Sequence, residues 1–151
     1  MKRVAKYCLC ALLVVACEKK DAMEEIPGPS RVVHITAGSF DEEVLEAELP
    51  VMVDFSSENC HYCREVEPVV EHLSKEYYGR MKVVELKVTR DDYWLMEQYK
   101  FYGVPAFRFF YEGLEYSSHR ISGAREYPFF KEEIGDFLEE ASDVAGGLGR
   151  S

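Results

Sequence analysis

The chain has 151 residues, 28 of them acidic and 18 basic, for a formal net charge of −10 at pH 7. So acidic a surface argues against nucleic acid as a partner and against electrostatic adhesion to anionic lipid. The length admits one hydrophobic core of ordinary size and excludes two.

Residues 1–16 read as a lipoprotein-type signal peptide. Lys2, Arg3 and Lys6 form a basic start, and Tyr7 to Ala16 is uncharged and mostly apolar, too short to cross a bilayer comfortably. Val14-Val15-Ala16-Cys17 resembles a bacterial lipobox, where the chain is cut before the cysteine and lipid is attached to it. Cys17 is thus the expected lipidation site, with membrane attachment through its acyl chains in the cell envelope or periplasm. Removing residues 1–16 takes three basic charges and no acidic one, which carries the net charge from −10 to −13. Residues 17–30 then form the lipidated cysteine and a flexible polar tether broken by Pro27-Gly28-Pro29. A single domain is expected over residues 31–142, followed by a disordered, glycine-containing tail over 143–151.

Within the domain, strand and helix patterns alternate. Val32 to Thr36 reads as a short strand. Ser39 with Glu42 three residues on predicts a capping-box start for a helix to about Glu46. Val51 to Phe55 is an apolar strand. A helix is predicted from Cys60 to about Tyr78, kinked at Pro68, with Val66, Val69, Val70 and Leu73 towards the core. Lys82 to Val88 alternates as a strand, and Asp92 caps a short helix through Tyr99. Ala106 to Tyr111 is an apolar strand, Glu112-Gly113 turns the chain, and a hairpin partner follows around Tyr116 to Ile121. Tyr127 to Ala141 closes as an amphipathic helix. The order βαβαβαββα predicts an α/β sheet with helices on both faces. Paired aromatics such as Phe109, Phe110, Phe129 and Phe130 read as packing. With no phosphate loop and no nucleotide fingerprint, no cofactor is expected.

Chemistry concentrates at Cys60-His61-Tyr62-Cys63, which follows the apolar strand and opens the long helix. A thiol in the first turn of a helix faces unpaired backbone N–H groups and the positive end of the dipole, and both favour thiolate. A cysteine three residues on lies on the same helical face, within reach of a disulfide. Of five cysteines, Cys8 and Cys10 leave with the signal peptide and Cys17 carries lipid, so only Cys60 and Cys63 remain as thiols. A bridge closing so short a loop stabilises by roughly 2 kcal/mol, a weak staple. Redox chemistry is the better explanation, in a compartment that permits disulfides.

These residues resemble a known family. Val53-Asp54-Phe55 before the CxxC, Pro68 within the following helix, Gly103-Val104-Pro105 before an apolar strand and Ser122-Gly123-Ala124 before the last helix together resemble a thioredoxin-like domain. The resemblance implies a thioredoxin fold, with a central mixed sheet of four to five strands flanked by helices on both faces. It implies an exposed attacking thiolate at Cys60 and a buried resolving thiol at Cys63. It also implies a cis Pro105 facing the pair, with the Val104 backbone pairing with an extended substrate. Asp54 matches the family's buried aspartate, which acts as a base near the resolving thiol; in an apolar site its pKa rises. Glu67 lies one helical turn beyond Cys63. Asp54 with Glu67 is similar to the periplasmic thioredoxin-like domain of transmembrane thiol reductases. Glu85 stands where thioredoxin usually has a lysine, which raises the Asp54 pKa further.

The chain departs from thioredoxin at His61 and Tyr62, which replace Gly-Pro and with Val104 and Pro105 are the expected substrate contacts. A histidine there favours a more oxidising pair, whereas Asp54 and Glu67 favour reduction, so direction stays open. Ser56 and Asn59 replace two tryptophans. The leading expectation is a monomeric, membrane-tethered thiol–disulfide oxidoreductase that meets protein thiols and disulfides and a redox partner protein. One alternative is a copper- or zinc-binding module using Cys60, His61 and Cys63 with His34, His72 or His119. Another is a non-catalytic interaction lipoprotein. The leading reading assigns no metal.

Overall fold

The computed structural model describes residues 22–148; the predicted signal peptide and Cys17 lie outside the described residues. Residues 22–30 carry no helix or strand. The elements that follow are β1 (Val33–Ile35), a 3-10 turn (Ala37–Ser39), a π-helical turn (Asp41–Leu45), β2 (Val51–Ser56), α1 (His61–Glu76), β3 (Lys82–Lys87), α2 (Tyr93–Gln98), β4 (Ala106–Tyr111), β5 (Leu114–Glu115), β6 (Ile121–Ser122) and α3 (Tyr127–Leu148). Among the described residues no helix is long and apolar enough to cross a membrane.

One sheet runs in the order β1-β3-β2-β4-β5, with β6 also on β4. β1, β3 and β2 are parallel; β4 runs antiparallel to β2, and β5 and β6 antiparallel to β4. Every residue of β2 is buried, which explains why it is apolar apart from Asp54 and Ser56: a central strand covered on both faces has no solvent side to pattern. Its side chains alternate between two cores. Met52 joins Val66, Val70, Leu73, Phe107, Phe109, Phe130 and Phe137 beneath α1 and α3. Val51, Val53 and Phe55 join Phe40, Leu86, Leu95, Tyr99 and Phe101 on the α2 side. Full burial of one such side chain is worth about 2 kcal/mol, and the two clusters hold the fold from both faces. The period of two places Asp54 on the Met52 face, towards α1.

Several predicted boundaries move. Ser39 does not cap a helix; Thr36 does, at the extended end of β1, with Thr36 N–H donating to Ser39 Oγ at 3.3 Å. The expected α-helix over 39–46 is a 3-10 turn and a π-helical turn. The hairpin return expected around 116–121 splits in two, which brings the sheet to six strands instead of four or five. Glu112 and Gly113 both have positive φ (50° and 76°), a tight turn that pairs Tyr111 directly with Leu114. Tyr116 N–H still donates to Phe109 O at 2.8 Å while its ring packs 5.2 Å from Phe137; the chain then turns away through Ser117–His119, and pairing resumes at Ile121. Helix α3 continues through Asp143 to Leu148, six residues into the segment expected to be a disordered tail. Ala141 is buried, Ser142 to Gly146 are exposed, and no proline stops the helix after Ala141. Pro68 sits inside α1 without ending it. It is exposed, so water can reach the carbonyl its ring leaves without a donor.

Candidate active site

The turn Ser57–Asn59 carries the chain from β2 to Cys60, whose extended backbone (φ −84°, ψ 112°) makes it the N-cap of α1. Its sulfur takes the place of a capping oxygen: Cys63 N–H donates to Cys60 Sγ at 3.1 Å. The Cys60–Cys63 disulfide is closed, with Cα atoms 5.2 Å apart. Cys60 is partly exposed and Cys63 buried. In the reduced state that N–H and the dipole of a sixteen-residue helix favour charge on Cys60.

The Val104–Pro105 peptide is cis, and Val104 O lies 3.6 Å from Cys60 Sγ. Gly123 N–H donates to Pro105 O at 2.8 Å, so the loop before β4 is tied to the residue after β6. Around it Tyr62 and Tyr102 are strongly exposed, at 62% and 89%. His61 is exposed as well and turns to Glu65, its Nε2 3.0 Å from Oε1.

Behind the disulfide a cleft of about 290 Å³ runs between α1 and the β1 edge of the sheet; Asp54, Cys63, Glu67, Glu85, His34 and Ser56 all line it. Asp54 is 4% exposed, and its Oδ1 has no hydrogen-bond partner among the described residues. Burial, then the Glu85 carboxylate, then that of Glu67 push its pKa up from 3.8 to about 8. Glu85 is the register partner of Asp54 on β3. It accepts from Ser56 Oγ at 2.7 Å and lies 2.7 Å from His34 Nδ1.

The fold therefore brings Cys60, Cys63, Asp54, Glu67, Val104 and Pro105 to one end of the sheet. His72 and His119 are not there. His72 is buried against the Tyr127 ring at 4.9 Å, and His119 lies between Glu133 and Glu140 of α3. No group of three or more His, Cys, Asp or Glu side chains among the described residues is arranged to hold a metal ion.

Sequence reasoning passed over Arg108, which lies in a strand read as simply apolar. It is 1% exposed and donates to the carbonyls of Tyr99, Lys100, Phe107 and Ile121 at 2.7–3.0 Å. Burial lowers its pKa to about 10, which leaves it charged at neutral pH. The signal was present: a lone charge where the alternation of β4 points into the core.

A helix-capping cysteine, a buried partner thiol and a facing cis-proline loop define a protein that exchanges dithiol for disulfide. The thioredoxin family model matches residues 31–138. The thioredoxin of Synechocystis sp. is 39% identical over 84 residues, 56% of this chain and 78% of that protein. Thioredoxin C-2 of Corynebacterium nephridii is 38% identical over 82 residues, 54% of this chain and 75% of that protein. The chloroplastic M-type thioredoxin of Spinacia oleracea is 34% identical over 99 residues, 66% of this chain and 51% of that protein. The chain belongs to the thioredoxin family. It is a thiol–disulfide oxidoreductase, and its substrates are protein disulfides.

Proposed function

We propose that this oxidoreductase acts outside the inner membrane, tethered through lipid on Cys17, with Cys60 as the attacking thiolate and Cys63 as the resolving thiol. The observation that carries the site assignment is the asymmetry of the pair. Cys60 is open beside the cis-proline loop, and Cys63 is buried beside a carboxyl that holds its proton at neutral pH.

The steps balance. Cys60 thiolate attacks one sulfur of a substrate disulfide; a Cys60–substrate bond forms, the substrate S–S bond breaks, and the released substrate thiolate takes a proton from water. Asp54, once ionised, takes the Cys63 proton through the cleft. Cys63 thiolate then attacks Cys60 Sγ, which breaks the Cys60–substrate bond, closes the intramolecular disulfide and frees the second substrate thiolate, which takes a proton from water. Two electrons pass to the substrate, and a redox partner protein returns them. Run backwards, the same steps oxidise a dithiol. Glu67 lines the cleft with Cys63 and tunes Asp54. His61, Tyr62, Val104 and Pro105 form the substrate rim.

Membrane attachment rests on the sequence of Met1 to Cys17, and a monomer is the proposed state. Labelled palmitate should enter the full chain in cells and vanish in Cys17→Ala; incorporation that survives the change would refute the anchor. The reaction is tested by trapping. Cys63→Ala should accumulate mixed disulfides through Cys60 that dithiothreitol releases, and Cys60→Ala should accumulate none. A Cys63→Ala chain that traps nothing sinks the assignment and leaves a scaffold.

A further inference from the structure

Arg108 is the largest fully buried charged side chain of the described residues, yet it lies on the α2 face of the sheet, away from the acidic cleft. A guanidinium so placed is tolerated only if its N–H groups find acceptors. All of its side-chain nitrogens do, and the acceptors are not scattered. Nε donates to Tyr99 O at 2.7 Å and Nη2 to Lys100 O at 2.9 Å; Nη1 donates to Phe107 O at 2.8 Å and Ile121 O at 3.0 Å.

Tyr99 and Lys100 are the end of α2. Tyr99 is its C-cap, and Lys100 has a positive φ of 51°, the left-handed position usually given to glycine. Carbonyls at that end have no partners within the helix, and a cation there offsets the negative end of the dipole. Five residues on is Pro105. Ile121 is the first residue of β6; its neighbour Ser122 pairs with Ala106, and Gly123 N–H donates to Pro105 O. The rim loop Tyr102–Pro105 thus hangs between two segments, and one side chain holds both. Its cationic face also lies 5.6 Å from the Phe101 ring centre, inside the loop's own approach. Glu115, 3.6 Å from Nε and itself held by Arg120, supplies the counter-charge.

We propose that Arg108 is a positioning residue: it fixes the Tyr102–Pro105 rim so that a protein disulfide docks with its sulfur in line with Cys60. The proposal rests on the oxidoreductase reading and adds the side chain that sets the rim. Lysine retains the charge but, with a single nitrogen, cannot hold two segments at four carbonyls; leucine removes both charge and donors.

The test compares full-length wild type, Arg108→Lys and Arg108→Leu, with dithiothreitol as donor. Insulin serves as the protein disulfide and dithiobis(nitrobenzoate) as a small one. The KM for insulin should rise on the order of tenfold in Arg108→Leu, with Arg108→Lys between it and wild type. The rate with the small disulfide and the titration of Cys60 should not change. Amide exchange should speed up at Tyr102 and Val104 and not at Val70 or Leu73. Unchanged KM in a folded variant overturns the proposal. So does equal loss on both substrates, which places the effect at Cys60. If neither variant folds, the residue serves the core and the proposal falls. A wild type inert towards insulin would count against the oxidoreductase reading instead, and amide exchange would still report on Arg108.

Discussion

The two sulfurs of the disulfide look into different surroundings. Cys60 faces a rim of backbone and exposed aromatic rings: Val104 O at 3.6 Å, cis Pro105, Tyr62 and Tyr102. Cys63 faces a cleft of carboxylates, in which Asp54, Glu67 and Glu85 share about 290 Å³ with His34 and Ser56. A substrate backbone can be read only on the first side. A proton can be stored only on the second, because burial and two like charges hold the Asp54 carboxyl neutral to about pH 8. The difference teaches that recognition and proton handling are separable here, though the reacting atoms are bonded to each other.

Asp54→Asn should give the largest effect on that division. Loss of a positioned base slows the resolving step about 100-fold at pH 8, seen as lingering mixed disulfide in stopped-flow quenching. The limb of the pH–rate profile near 8 should disappear, while KM for a protein disulfide stays put. Stability should move oppositely. The folded state keeps the Asp54 proton up to about pH 8, whereas the unfolded chain loses it near 3.8, so wild-type stability erodes as pH rises between those values. Each unit is worth about 1.4 kcal/mol, and Asp54→Asn should be the more stable protein at pH 7, by roughly 4 kcal/mol in urea denaturation. A variant whose stability falls with pH as steeply as wild type would remove Asp54 from the account.

The rim should answer in the opposite parameter. Tyr102→Ala takes away an 89% exposed ring two residues before Val104. It should raise KM for protein disulfides about fivefold with kcat and the pH limb unchanged. A shift of the limb would show that the two sides are coupled after all. The smallest expected change comes from Glu85→Gln. With one like charge gone the Asp54 pKa falls, the limb moves below pH 8, and the rate at pH 7 rises roughly threefold. A limb that stays in place would leave burial and Glu67 as the causes.

His72 adds a global control away from both sides. Its burial between α1 and α3 lowers its pKa, more than Glu76 raises it. Charging it is therefore easier in the unfolded chain, and that part of the stability is lost as pH falls through 6.5.

Much of this was legible along the chain, and the limit falls at a physical boundary. Cys60-His61-Tyr62-Cys63 after an apolar strand already specifies a thiol at a helix start, because capping and the helix dipole are local effects. The run Val51–Phe55 specifies a buried strand because apolar residues occupy both of its faces, with Asp54 the one charge among them. The same locality misled at Ser39, where a good capping pattern lost to Thr36, and at 116–121, where a 3-10 turn over Ser117–His119 interrupts the ladder after Tyr116. Tertiary packing alone decided three things. It set Glu85 beside Asp54, through the parallel register of β2 and β3. It sent His72 and His119 to separate clusters. It also gave Arg108 four carbonyls from three elements. Each depends on which distant segments share a dry space, since a buried charge takes its partners from whatever backbone the fold delivers there.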